Sequence, residues 1–248
     1  MNYTRAQLDA ILDKAGPAGW QMALHANGDL AIDLALDAYE SALKRHNLIG
    51  TDHRWRIEHL GAGTRRHFDR AAELGVYTSM APFQYYYWGD LLDGQMFDHE
   101  HGARWQSFGD AAASGAVVSF HNDGSVSPPS PILNIATAVT RRTRSGAVHA
   151  PDQTMPLEQA LRAHTIDAAR TLHREALVGS IAPGKLADFT ELAADPYTVD
   201  PIALAEKAAV RGTWLAGERT DLDAFLGAVR GTDAAPHAHL AEHPARGG

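Results

Sequence analysis

Three side chains have the types and spacing to do chemistry: His25 in WQMALHANGD, His59 in RWRIEHL and Asp123 in AVVSFHNDG. Each closes or directly follows a short apolar run of the kind that forms a buried strand, just where a loop opens. Strand side chains alternate between faces. That rule groups Gln21, Ala23 and His25 on one face, with Trp20, Met22 and Leu24 on the other. It groups Trp55, Ile57 and His59 in the second run, and Val117, Ser119, His121 and Asp123 in the third. Two neutral imidazoles and a carboxylate are a competent set for one divalent zinc, leaving the fourth position to water. Zinc lowers the pKa of such a water to about 7, giving a hydroxide nucleophile near neutral pH. Taken singly, each residue has a plainer reading: a hydrogen-bonded core histidine, or a turn at Asn-Asp-Gly.

The elements that would position these residues alternate in kind. Strand-like runs cover 19–25, 54–59, 76–80 and 116–121, and helical patterns follow over 30–46, 64–74, 106–113 and 132–142. A further helix is predicted over 157–173. Strand–helix alternation points to βα units in a parallel sheet or barrel. In βα barrels the catalytic groups collect at the carboxyl ends of the strands. After Gly179 the segments GSIAPGKLADFTEL and VRGTWLAGERT are short and turn-rich, predicting a small β element over 179–222. From 223 the apolar pattern thins into a Pro/Ala-rich stretch with His237, His239 and His243, for which disorder is the expectation.

The 248 residues carry a net charge of −8, against the basic patches that phosphate binding needs. There is no apolar run of about eighteen residues to span a membrane. With no cysteine, neither a disulfide framework nor a thiolate metal site is available. The opening segment MNYTRAQLDAILDKAG reads as a charged amphipathic helix without a signal-peptide core, so a cytoplasmic location is expected.

Four segments in this order, LHANGDLAIDLALDAYE, RWRIEHL, SFHNDGSVSPPSPILNIATAVTRRT and GSIAPGKLADFTEL, resemble the amidohydrolase superfamily, and within it the YtcJ-like family 3. The resemblance runs from about Leu8 to about Thr220. It implies a (β/α)8 barrel with a small β-sandwich built from both chain ends. It also implies that His25 corresponds to the strand-5 metal ligand, His59 to the strand-6 ligand and Asp123 to the strand-8 aspartate. That aspartate would hold metal or water and act as general base, then pass its proton to the leaving amine.

The departures from the pattern are large. No His-x-His pair follows a strand: His99-Glu100-His101 lies in a polar loop sequence and His237-Ala238-His239 in the tail. No strand-4 lysine or glutamate precedes His25, since Lys14 sits in the opening helix. The expectation is therefore an α/β fold: a partial TIM-type barrel, strands 5 to 8 of the pattern, over 1–178, followed by the sandwich segment. A half-barrel leaves two open edges. Either a partner chain supplies strands 1 to 4, or the chain forms a homodimer, or it is a truncated product.

The expected activity is metal-dependent hydrolysis of a non-peptide C–N bond in a small amide or N-substituted amide. The expected cofactor is a divalent metal, zinc first, although histidine–aspartate sites also accept iron and manganese. The rival is a non-catalytic half-barrel. Around the core set, Asp29 is expected to cap the next helix, and Arg56 and Glu58 to form an ion pair. The run QYYYW, with Tyr85 and Trp88, is expected to form a substrate-facing loop, and His121 to support a ligand or touch substrate.

Overall fold

Parallel strands cannot be joined by tight turns and need crossover connections, which here are helices. The computed structural model describes residues 3–221, together with Ala224 and Gly227. Four strands, β1 (Ala23–Ala26), β2 (Arg56–His59), β3 (Tyr77–Met80) and β4 (Val118–Phe120), pair in parallel in the order β1-β2-β3-β4. The register aligns Leu24 with Ile57, Ile57 with Thr78, and Thr78 with Val118. Among the described residues β1 and β4 are each paired on one side only, so the sheet is open.

Helix α1 (Arg5–Ala15) precedes β1, and α2 (Asp29–Arg45) and α3 (Arg65–Leu74) follow β1 and β2. Between β3 and β4 lie α4 (Pro82–Leu92), α5 (His99–Gly102) and α6 (Phe108–Ser114). After β4 come α7 (Pro131–Thr140), α8 (Leu157–Ala163), α9 (Ile166–Thr171) and α10 (Leu204–Lys207). The 179–222 segment forms an antiparallel sheet of β5 (Phe189–Leu192), β6 (Val210–Leu215) and β7 (Glu218–Arg219). The tail over 223–248, for which disorder is expected, lies outside the described residues apart from Ala224 and Gly227.

Local chemistry sets the helix starts. Thr4 and Gln7 form a capping box on α1, and proline occupies the first helical position of α4 and α7, where its missing N–H is not needed. Helix α2 buries Ile32, Leu36, Tyr39 and Leu43 at helical spacing. These pack with Ile57, Val118 and Phe120 in one core on the helix-covered face of the sheet. The opposite face carries His25, Arg56, Glu58, Ser79 and Ser119. There a cavity of about 540 Å³ is lined by Arg56, Glu58, Ser79, Ser119, His121 and His164 among others.

Two expectations are corrected. The helix predicted over 157–173 is two helices, broken between α8 and α9 where Thr165 leaves helical geometry and its hydroxyl bonds Leu161 O at 2.9 Å. The run QYYYW is not a loop. It lies within α4, which Pro82 starts directly after β3.

One buried cation ties the helices after β3 to α7. Arg141, left-handed at the end of α7, is fully buried. Its guanidinium donates to the carbonyls of Ala103 (2.8 Å), Trp105 (3.0 Å), Gln106 and His149 (3.2 Å). None of its hydrogen bonds goes to a carboxylate among the described residues. The group lies 3.7 Å over the Tyr85 ring. Burial pulls its pKa down to about 10, which still leaves it charged at neutral pH. Arg141→Met would strip these carbonyls of their donor, and a buried unpaired polar group is expensive. The expected result is a loss of about 3 kcal/mol or more in urea-unfolding free energy; unchanged stability would show the guanidinium to be dispensable.

Candidate active site

The site forms at the carboxyl ends of β1, β2 and β4. His25 is exposed near the end of β1, on the open face. His59 ends β2 and is only 5% exposed. Alternation alone would leave His59 on the core side with Trp55 and Ile57, both of which are buried there. The backbone departs from that pattern: His59 and Leu60 are both left-handed, with φ of 75° and 52°. Gly61 makes this turn possible, because a Cβ there would collide with Asn27 Oδ1 and the Trp105 ring. The turn is stapled to the end of β1 by Leu60 N donating to Ala26 O (3.1 Å) and Ala62 N to Asn27 O (2.8 Å).

The His59 ring lies edge-on against His25, centroids 4.4 Å apart, and against His121, centroids 4.8 Å apart. Sequence reasoning gave His121 a supporting or substrate role; the structure makes it the third ring of one cluster. Its Nδ1 accepts from Asp123 N at 3.2 Å, while its buried Nε2 has no partner among the described residues. Asp123 is exposed and left-handed at φ 52°. Its loop is pinned to α7 by Asn134 Nδ2 donating to Asn122 Oδ1 (2.9 Å), and Asn134 also meets His164 Nε2 at 3.2 Å.

Burial keeps His59 and His121 neutral. Burial, then the neighbouring His121 and His25, push His59 down to about 4, with Asp123 and Glu58 opposing. Burial lowers His121 as well, against the pull of Glu58 and Asp123. Burial takes His164 down to about 4. Neutral imidazole is the form that binds metals. The donors therefore fit a divalent cation in type, although neutral His121, whose Nδ1 accepts from Asp123 N, carries its proton on Nε2. They fall short in convergence: among the described residues no three His, Asp or Glu side chains come together in ligating geometry.

The other candidates are placed as follows. Asp29 is the first residue of α2, not its cap; Gly28 is the cap, and Asp29 accepts from Leu30 N at 2.7 Å. Tyr85 lies in the interior. It is fully buried beneath Arg141, its hydroxyl donating to Arg141 O at 2.7 Å and accepting from His149 N at 2.9 Å. Trp88 is exposed and packs on Phe83, which in turn meets the His121 ring edge-on. Arg56 and Glu58 form the expected ion pair, on the cavity wall.

Sequence reasoning missed Gln84, Trp105, Gln106 and His164, which surround the histidines. Gln84 stood in the aromatic run QYYYW, but nothing in the sequence marked its amide. Trp105, Gln106 and His164 carry no sequence signal, because only tertiary contact brings them here.

The amidohydrolase family model matches residues 1–221. The chain belongs to the amidohydrolase family. Among its relatives is the N-substituted formamide deformylase of Arthrobacter pascens, 31% identical over 197 residues, covering 78% of this chain and 35% of that protein. Another is YtcJ of Bacillus subtilis, 28% identical over 204 residues, covering 79% of this chain and 37% of that one. The chain thus spans about a third of the length of these relatives. A metal-dependent hydrolase from Pyrococcus horikoshii superposes with a TM-score of 0.64 at 28% identity, over 81% of this chain and 39% of that one.

For this amidohydrolase chain the lowered histidine pKa values give a pH dependence of stability. His59 and His164 stay neutral in the folded state down to about 4, whereas unfolded histidine protonates near 6.5. Below about 6.5 the unfolded state binds protons that the folded state refuses, so stability falls as pH drops toward 4. Urea midpoints of the metal-free protein are expected to decline steadily between about pH 7 and about 4.5. A flat profile over that window would contradict the burial of these two rings.

Proposed function

We propose that this chain forms one wall of the active site of a metal-dependent hydrolase that opens a non-peptide C–N bond in a small amide or N-substituted amide. The observation that carries the reading is the gathering of His25 and neutral His59 beside Asp123 at the carboxyl ends of parallel strands, in a chain of the amidohydrolase family. The substrate class is supported by the relative named for N-substituted formamide, and the metal by the Pyrococcus hydrolase. A net charge of −8 favours a small-molecule substrate over nucleic acid. No described helix is long and apolar enough to cross a membrane, and a cytoplasmic setting fits the absence of cysteine.

His25 and His59 would hold the ion, zinc by donor type. When bound, it supplies a water acidic enough to ionise near neutral pH and polarises the substrate carbonyl. Asp123, exposed on its loop, accepts the proton of the attacking water and returns it to the leaving nitrogen. The cavity beneath, walled by Arg56, Glu58, Ser119 and His164, accommodates the rest of a small substrate. The remaining ligands and the partners for the open edges of β1 and β4 are assigned to a segment or partner chain outside these residues, a second copy being the simplest.

A second reading, a non-catalytic half-barrel subunit, is favoured by one observation: no three ligating side chains converge among the described residues. Metal analysis of the purified chain together with its mass in solution separates the two. One zinc per chain in a closed assembly supports the enzyme, and a metal-free monomer supports the subunit. With an N-substituted formamide as substrate, chelation is expected to abolish turnover. Asp123→Asn is expected to lower kcat by about 10²–10⁴-fold with bound metal retained. Turnover that survives both changes would overturn the mechanism.

A further inference from the structure

Gln84 is buried on α4 beside His59, and its hydrogen bonds fix its orientation twice over. Its Oε1 accepts from Trp105 Nε1 at 3.1 Å and from Gln106 Nε2 at 3.3 Å. An indole nitrogen can only donate, so the atom facing Trp105 must be the amide oxygen. Gln106 is locked independently: its Oε1 accepts from Ala81 N at 3.1 Å, and its Nε2 also donates to His59 O at 3.0 Å. Its NH2 is therefore the group turned toward Gln84. The Gln84 NH2 in turn faces His59 Nδ1 at 3.4 Å.

An amide NH2 only donates, so His59 Nδ1 is the acceptor and the proton of the neutral ring resides on Nε2. This is the reverse of the usual arrangement at a metal, where the non-ligating ring N–H donates to a carbonyl or carboxylate. With Gln84 in this orientation Nδ1 is covered and Nε2 carries the proton, so His59 takes a cation only once the amide turns. Moving the proton to Nδ1 would set two donors against each other, and rotating the amide would leave Trp105 Nε1 without its acceptor.

We propose that Gln84 is a positioning residue that holds His59 in its Nε2–H tautomer and so restrains capture of a divalent cation. The cation rests on the hydrolase reading above; the tautomer does not. The restraint is connected to the surface, because Trp105 stacks on exposed Phe97 at 5.2 Å. Movement of Phe97 and Trp105 would free the Gln84 oxygen and let the amide turn.

The test begins with 15N-labelled histidine in the metal-free protein, His59 being assigned by loss of its signals in His59→Asn. Long-range 15N–1H spectra of the wild type are expected to show His59 protonated at Nε2. Gln84→Glu places a carboxylate oxygen opposite Nδ1, and is expected to move the proton there and tighten cobalt(II) or zinc(II) binding by about 10–100-fold. Gln84→Met, which removes both amide groups without adding a charge, is expected to leave a mixture of tautomers and serves if the glutamate variant does not fold. A purely packing role would lower the melting temperature of both variants without moving the tautomer, and that outcome overturns the proposal. A wild-type His59 protonated at Nδ1 also overturns it, as does a switched tautomer with unchanged metal affinity. Absence of hydrolysis with metal bound would count against the hydrolase reading alone.

Discussion

A buried guanidinium without a carboxylate is the constraint on which the site's geometry depends. Desolvating the Arg141 charge is unfavourable, and the structure offsets this with hydrogen bonds from charged donor to backbone carbonyl, each worth about 1.5–3 kcal/mol. Three of those carbonyls belong to Ala103, Trp105 and Gln106, so one cation fixes the path of a short irregular segment. That path brings the Trp105 ring against Gly61 and places the Gln106 amide between Ala81 N and His59 O. The orientation of His59 is thereby set from α7, although no residue of α7 touches its ring nitrogens.

The same packing sets the charge state of the site. His59 lies edge to edge with His25 and His121, and burial disfavours its charged form and that of His121. His59 and His121 are held neutral, while Asp123 remains in solvent on a loop tied to α7 through Asn122 and Asn134. In the proposed reaction, neutral histidines beneath an exposed carboxylate separate the task of holding from that of moving protons. Among the described residues the sheet keeps an open face and unpaired outer strands. The chain spans about a third of the length of the relatives it matches.

Much of this was legible in the residues. The βα alternation, the positions of His25, His59 and Asp123 at strand ends and the family all followed from local pattern and motif. The antiparallel strands after Gly179 and the Arg56–Glu58 pair did too. These features depend on neighbours close in sequence, so periodicity carries them. The failures were non-local. QYYYW looks like an aromatic loop because nothing local shows that Pro82 nucleates a helix there, or that Arg141, fifty-six residues after Tyr85, lies over that ring. The break at Thr165 was hidden by an unbroken apolar pattern over 157–173.

The sequence by itself determined which donors are available and that His25 and His59 lie at strand ends with Asp123 in the loop just beyond one, because residue type and strand period are local properties. Only the tertiary structure decided how His59 is presented. Its ring leaves strand alternation through a left-handed turn that needs Gly61, and its proton is placed by Gln84, Trp105 and Gln106. Those contacts join residues more than twenty positions apart, and hydrogen-bond direction exists only once the groups are brought within reach of one another.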